Sequence, residues 1–386
     1  MGNISYQKLQ ELANGLGLSV VGVAGADSLL EDGQRLRKWQ EAGFAGDMVF
    51  MQRDPDLLSS PRRIVPEAKS VVVVGAYYDR QPRLPLPKGH GRIARYAWGR
   101  DYHKVLRAKL KQLLESVCSS VDGPVNSRLF SDSVPLLERA LARQALAGFI
   151  GKNTMFISPR AGSFLFLGEI IWDLEVSDLP KRVVKAKCGT CSSCLDGCPT
   201  GAFAGERILD ARKCISYLTI EKRGALTHQE RGWLGEWVFG CDVCQDVCPF
   251  NVISSKQLLR ADIAELRSEK GVGQSVDLIE LIKMRDDAKF LARFAGTPIM
   301  RTKREGLVRN AAVVAANRHY VEALNALEEA ALYDSSVVVR SHALWSYIVI
   351  SEREGNSDGS RANMLMESAA KDSDPQMQRE LSLLRG

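Results

Sequence analysis

Cys188-Gly-Thr-Cys191-Ser-Ser-Cys194-Leu-Asp-Gly-Cys198-Pro199 and Cys241-Asp-Val-Cys244-Gln-Asp-Val-Cys248-Pro249 hold seven of the nine cysteines of this 386-residue chain, and Cys214 between them is an eighth. The first run has the C-x2-C-x2-C-x3-C-P spacing of a ferredoxin carrying two 4Fe-4S clusters, in which the cysteine before the proline ligates the other cluster. A short loop wraps three thiolates around one cube but not a fourth. The spacing therefore assigns Cys188, Cys191, Cys194 and Cys248 to one cluster. The second takes Cys198, Cys241 and Cys244. Val238 stands where the first cysteine of the second run would be, and Cys214, the only spare thiol nearby, fills that place.

Zinc and disulfides are the plainer readings of such a pattern. A tetrahedral zinc needs four ligands and gives no reason for two C-x3-C-P endings. Disulfides suit small secreted domains, and here eight cysteines crowd between Cys188 and Cys248 of a long chain whose beginning, MGNISYQKLQELANGLGLS, has polar residues at helical spacing where an export signal needs an apolar run. Cytoplasmic residence is the expectation. Cys118 falls outside the pattern, in the helical stretch KLKQLLESVCSS, and receives no role.

A hydrophobic fraction of 45% and a charged fraction of 25% are those of a globular protein, and no apolar run reaches the length of a membrane span. A length of 386 residues implies two or three domains. The net charge of +6 permits contact with nucleic acid without arguing for it.

To about residue 175, helical and strand patterns alternate. Helices are expected at Tyr6 to Leu16, Leu29 to Ala42, Tyr102 to Val117 and from near Pro135. Strands are expected at Val20 to Val23, Val71 to Val74 and Val125 to Phe130, with SFLFLGEIIWDLEV as a strand pair or one long strand. Beyond the cysteines the texture turns helical, and GLVRNAAVVAAN (from Gly306) resembles VVVRSHALWSYI (from Val337), with Arg309 matching Arg340 and Ala312 matching Ala343. Two such copies suggest stacked HEAT-type helical pairs.

Clusters in a fixed row move single electrons, so a redox centre is expected in the rest of the chain. No G-x-G-x-x-G follows a strand. Gly151-Lys152-Asn153-Thr154 looks like the end of a phosphate loop, but the upstream glycine at the required distance is absent.

ARYAWGRDYHKVLRAKL (from Ala94), FSDSVPLLERALA (from Phe130), AGFIGKNTMFISPRAGSFLFLGEI (from Ala147), the two cysteine runs and GTPIMRTKREGLVRNA (from Gly296) together resemble the epoxyqueuosine reductases. The resemblance runs through all parts of the chain. It implies a cobalamin-dependent oxidoreductase, related to reductive dehalogenases, that takes the last step of queuosine synthesis. Two 4Fe-4S clusters feed electrons to cobalt, and the epoxide of the modified wobble guanosine of tRNA becomes an alkene with loss of water.

Asp101-Tyr102-His103-Lys104-Val105-Leu106 comes within one residue of the D-x-H-x-x-G loop that supplies a histidine to cobalt in many cobalamin proteins. Leu106 replaces the glycine and Asp101 reads as a helix N-cap, so His103 is expected in a structural or substrate-side role. Base-off cobalamin, which the resemblance implies, agrees. The resemblance also makes Asp132 the proton donor to the opening epoxide, where a pKa raised by burial would serve it; otherwise such an aspartate reads as a helix cap. Gly151, Lys152, Asn153, Thr154, Gly162 and Ser163 are the expected contacts to cobalamin, with Arg95 and Tyr96 ranked below them. An ordinary turn is the competing reading of the glycine-containing stretch.

The expected partner is a tRNA anticodon stem-loop carrying epoxyqueuosine. Basic residues at Lys181, Arg182, Lys185 and Lys187, and at Arg301, Lys303, Arg304 and Arg309, are candidates to neutralise its phosphates. An unidentified electron donor, a monomer and no membrane complete the expectation. The fold expected is α+β: an N-terminal α/β cobalamin-binding domain over residues 1–178, a ferredoxin-like domain with two 4Fe-4S clusters over 179–275 and a HEAT-like helical repeat over 276–386. A cobalamin-dependent dehalogenase acting on a small molecule would not need the basic, repeat-bearing tail. A plain electron-transfer ferredoxin subunit would not need the N-terminal domain.

Overall fold

The computed structural model describes all residues except 1–2, 79–81, 133–135, 182–183, 255–262, 356–359 and 386. Two compact units emerge: Met1–Arg80 with Asp101–Arg212 and Asp242–Arg267, and Gln81–Arg100 with Lys213–Cys241 and Ser268–Gly386. The division is not three consecutive segments. Residues 213–241 leave the cysteine-rich stretch for the second unit because the Ile215–Ile220 helix and the Trp237–Phe239 strand bury their side chains there.

The first unit is built on a four-stranded sheet in the order Ser19–Gly25, Ser70–Tyr77, Leu165–Trp172, Ser127–Phe130, every pair antiparallel. Val71 to Val74 are all 0% exposed, which is why this stretch reads as an unbroken apolar run and not as an alternation. The Tyr102–Cys118 helix covers one face with Leu106, Leu110, Leu113 and Val117, a stripe at helical spacing, and packs on Leu165–Trp172. Its N-cap, Asp101, accepts the His103 N–H at 3.1 Å.

Two strand and helix ends differ from the sequence expectation for local reasons. SFLFLGEIIWDLEV is one strand to Trp172, after which Asp173 exchanges hydrogen bonds with Asn126, and Glu175–Ser177 pairs instead, in parallel, with Asn3–Ser5. The helix expected from Pro135 begins at Glu138, since the Leu137 N–H is given to Leu58 O at 3.1 Å; Pro135 itself lies outside the described residues.

In the second unit, His90–Ile93 is the centre of a three-stranded sheet, parallel to Trp237–Phe239 and antiparallel to Ser275–Asp277. The Lys303–Asn317 helix is buried from Gly306 to Ala316, and Val337–Arg353 is likewise enclosed over most of its length. Leu324–Tyr333, Ser360–Ala369 and Pro375–Arg385 pack around them. A helix apolar on all sides belongs inside a core, and this one carries Arg309 and Asn310 in with it. Among the described residues no helix is long and apolar enough to cross a membrane.

Candidate iron-sulfur and proton-donor site

Within the first unit, Cys188, Cys191, Cys194 and Cys248 line one cavity, together with Lys152, Asn153, Ile157, Pro249 and Phe250. Two single-turn helices, Ser193–Asp196 and Val243–Asp246, place the cysteine runs against each other. Burial, then the neighbouring thiols, push Cys194 up, and burial pushes Cys248 up, whereas a hydrogen bond from the Ser193 hydroxyl draws Cys191 down. Cys194 and Cys248 therefore resist ionisation until a positive centre binds them, so metal loading and their deprotonation are linked. Of the other cysteines in the pattern, Cys198 and Cys244 belong to the first unit and Cys214 and Cys241 to the second.

The loop between the short strands Phe149–Ile150 and Phe156–Ile157 closes the cavity. The Lys152 N–H points at Cys188 Sγ, 3.4 Å away, and Asn153 Nδ2 donates to Cys244 O at 3.1 Å. Ser163 is fully engaged with the second cysteine loop. Its N–H donates to Asn251 Oδ1 at 2.6 Å, its Oγ accepts from Asn251 Nδ2 at 2.9 Å, and Gln245 Nε2 also reaches it, at 3.0 Å. The Lys152 N–H, the Asn153 amide and Ser163, expected along the sequence to be cobalamin contacts, thus reach the cysteine loops, while the Lys152 ammonium pairs with Glu206 at 2.7 Å. Gly151 lies where a Cβ would meet Ile157 Cδ1 at 2.5 Å, and Gly162 has φ +70°. Of these six residues only Thr154 is partly exposed. Arg95 and Tyr96 fall in the second unit, Arg95 over the Trp98 ring at 5.0 Å and Tyr96 against Phe239.

Asp132 follows the Ser127–Phe130 strand with φ +50°, a left-handed conformation that an aspartate tolerates better than most residues. The Tyr102 hydroxyl donates to its Oδ2, and His103 Nε2 stands 3.6 Å from the same oxygen. Tyr102 is itself stacked between Phe166 and His103, with ring centroids 4.1 and 4.0 Å away. The Asp132 N–H donates to Glu138 Oε1 at 2.5 Å. One residue on, Arg139 Nη1 donates to Thr154 O at 2.8 Å. The loop over the cysteine cavity is thereby tied to the helix behind Asp132.

Burial alone would raise the Asp132 carboxyl, but hydrogen bonds from His103 and Tyr102 outweigh it and hold the group below the ordinary aspartate range. The sign is opposite to the sequence expectation. Burial likewise opposes charge on His103, yet bonds to Asp101 (Nδ1 to Oδ1, 2.9 Å) and to Asp132 push it up to about 9. At neutral pH the proton of this pair is on the imidazole.

Behind them lies a second acid pair. Glu169 is wholly buried in the Leu165–Trp172 strand, directly across from Phe130, and faces the Glu138 carboxyl. Burial, with the charge of Glu138, raises Glu169 well above the ordinary range; burial and the charge of Asp132 raise Glu138 to about 7. Sequence reading passed over Glu138 and Glu169. The one visible signal was a lone acid inside the apolar run LFLGEIIW. Tyr102 and Arg139 gave no signal apart from lying in stretches that carry the family resemblance.

The basic residues separate into two groups. Lys181, Lys185, Lys187 and Lys303 are exposed, and Arg182 lies outside the described residues. Arg304 is buried against Asp334, at 2.9 and 3.0 Å, and Arg309 is 1% exposed, so neither faces a phosphate; Arg301 is paired with Glu221.

Residues 59–133 match the family described as "Epoxyqueuosine reductase QueG, DUF1730", and residues 187–251 match a 4Fe-4S double cluster binding domain. An epoxyqueuosine reductase of Xanthomonas campestris is 40% identical, covering 88% of this chain and 94% of that one; one of Pseudomonas aeruginosa is 38% identical, covering 88% and 93%. A crystal structure of an epoxyqueuosine reductase with a tRNA-Tyr epoxyqueuosine-modified stem-loop superposes with a TM-score of 0.85 at 27% identity, covering 98% of each chain. The Bacillus subtilis enzyme, solved with its catalytic aspartate loop swung out of the active site, gives 0.84 at 28%, covering 97% of this chain and 96% of that one. By sequence and by fold, the chain belongs to the epoxyqueuosine reductase family.

Proposed function

We propose that the chain reduces epoxyqueuosine to queuosine at the wobble position of tRNA, as a cytoplasmic enzyme that passes electrons from two 4Fe-4S clusters to base-off cobalamin. The observation that carries this reading is the double attachment of the Gly151–Thr154 loop, with the Lys152 N–H on Cys188 and Thr154 O held by Arg139. One short loop thus spans from the cluster cavity to the helix behind Asp132, where an electron relay and an acid must meet. One cluster is held by Cys188, Cys191, Cys194 and Cys248; the ligand spacing gives Cys198, Cys214, Cys241 and Cys244 to the other.

Cobalamin would supply two electrons at a low-potential cobalt centre. The residues present fit the base-off form. His103 has both ring nitrogens occupied, by Asp101 and Asp132, and the other four histidines each have hydrogen-bond partners in the second unit. Within the Gly151–Thr154 loop, Thr154 offers the accessible edge to the corrin, while Lys152 and Asn153 hold the cysteine loops.

Conversion of the epoxide to an alkene takes two electrons and two protons and releases water. Asp132, with a side chain 64% exposed, touches the substrate oxygen, and His103 behind it holds the proton that Asp132 hands on. Glu138 fixes the Asp132 backbone and Tyr102 fixes its carboxylate. Lys181, Lys185, Lys187 and Lys303 neutralise phosphates of the stem-loop, and the paired helices of the tail form a HEAT-like support.

Anaerobic, cluster-loaded protein should take up one cobalamin and process the epoxyqueuosine stem-loop in preference to the free nucleoside. No cobalamin uptake, or equal turnover of nucleoside and stem-loop, would overturn the reading.

A further inference from the structure

Arg309 and Asn310 lie on the Lys303–Asn317 helix of the second unit, 1% and 0% exposed. A guanidinium buried this deeply would ordinarily sit on a carboxylate. Arg309 instead spends its donors on carbonyls: Leu218 O at 2.8 Å, Lys222 O at 3.0 Å and Gly224 O at 2.7 Å, with Asn310 Oδ1 at 2.9 Å. Asn310 turns its own amide outward, and Nδ2 donates to Thr219 O at 2.8 Å and Val238 O at 2.9 Å. The main-chain acceptors all belong to two stretches of chain.

The first stretch is the Ile215–Ile220 helix and the turn after it, and that helix begins at its N-cap, Cys214. Leu218 and Thr219 stand in its last turn, whose carbonyls have no partner within so short a helix. The second stretch is the Trp237–Phe239 strand, which leads through Gly240 to Cys241. Thr219 Oγ1 joins the two by accepting the Gly240 N–H at 2.9 Å, and Thr302 Oγ1 adds a further bond to Thr219 O at 2.9 Å. Asn310 therefore fixes the helix after one cysteine to the strand before another, and Arg309 holds both the end of that helix and the Asn310 amide oxygen.

We propose that Arg309 and Asn310 are positioning residues for Cys214 and Cys241, so that the helical tail is a structural part of the second iron-sulfur site as well as a support for tRNA. The proposal rests on the reading of Cys214 and Cys241 as ligands of one cluster. Cys214 comes from a stretch with no C-x2-C spacing to pre-set it, so its separation from Cys241 has to be imposed from outside the run. Backbone carbonyls clamped by buried donors do this without a side chain entering the ligand sphere.

The test compares Asn310→Ala, Arg309→Lys and Cys214→Ala, each purified anaerobically as the full chain and assayed for iron, sulfide and the paramagnetic resonance signals of the reduced clusters. Wild type should hold about eight iron, and Cys214→Ala and Asn310→Ala about four, with the same cluster signal missing in both. Arg309→Lys, which keeps the charge but reaches fewer carbonyls, should show intermediate occupancy. Asn310→Ala with about eight iron while Cys214→Ala has about four would refute the positioning role alone. Cys214→Ala with about eight iron would refute the ligand reading beneath it. Loss of both clusters in Asn310→Ala, with loss of helical circular dichroism, would also overturn the proposal, because it assigns the residue to one site and not to the whole fold.

Discussion

His103 Nε2 stands 3.6 Å from Asp132 Oδ2 while His103 Nδ1 holds Asp101 Oδ1 at 2.9 Å. The imidazole is thus bracketed by two carboxylates, which favour its charged form more than burial opposes it. With the histidine pushed up to about 9, turnover with reductant in excess should hold through neutral pH and fall as pH rises through about 9. His103→Gln should lose that alkaline limb along with most of its rate. A limb unchanged in His103→Gln would place the proton elsewhere.

The same pair bears on stability, and the sign is fixed by the direction of the shift. A histidine whose folded pKa is raised from 6.5 to about 9 contributes stability that is fully present below about 6.5 and lost as pH rises through about 9. Glu138, raised from 4.5 to about 7, is protonated in the folded chain after the unfolded chain has lost its proton, so stability should decline as pH rises from about 4.5 to about 7. Glu138→Gln should flatten that decline in denaturant titrations at stepped pH. A slope equal to that of wild type would mean that Glu138 is an ordinary carboxylate.

Asp132→Asn keeps the shape and an oxygen to accept from the Tyr102 hydroxyl, but it removes the carboxylate through which the proton held on His103 reaches the substrate oxygen. Cobalamin should still bind and be reduced, while epoxide turnover drops about 100-fold to 10,000-fold. Near-normal turnover would leave Asp132 with a structural role only.

Bound cob(II)alamin should show no nitrogen superhyperfine splitting in its paramagnetic resonance spectrum, because the imidazole beside Asp132 is already engaged on both sides. Splitting that disappears in His103→Ala would show that the histidine turns to cobalt.

Stem-loop affinity should fall steeply with salt, and replacing Lys185 or Lys187 by alanine should reduce the log-log slope by roughly 0.7 to 0.9 for each phosphate no longer neutralised. Arg304→Ala should act on folding and not on that slope, since its guanidinium is buried on Asp334. An Arg304 effect confined to the slope would contradict that separation.

The cysteine pattern was readable because ligand loops are short and their spacing follows from the size of a cube. Cys188, Cys191, Cys194 and Cys248 therefore look like a set along the chain and line one cavity in space. The sheet was readable for a similar reason, since four consecutive valines have few places to go but a buried strand. Arg304 and Arg309, candidates for phosphates along the sequence, are buried, and only the apolar residues on every side of GLVRNAAVVAAN hint at it, because arginine normally reports a surface. That Lys152, Asn153 and Ser163 meet Cys188, Cys244, Asn251 and Gln245 was not legible in their polar, glycine-containing stretches, because those partners are distant in the chain. Glu138 and Glu169 escaped notice because their pairing depends on the antiparallel register that sets Phe130 opposite Glu169. Pairing of that kind is a tertiary fact.

Reduction of tRNA-borne epoxyqueuosine is tested most directly by digesting an epoxyqueuosine-bearing anticodon stem-loop to nucleosides after incubation with cluster-loaded protein, cobalamin and a low-potential reductant, and weighing the wobble nucleoside. The wobble nucleoside should lose one oxygen, giving queuosine, in wild type and only when cobalamin is present. Unchanged epoxyqueuosine with both clusters and cobalamin bound, or the same conversion without cobalamin, would contradict the proposed function.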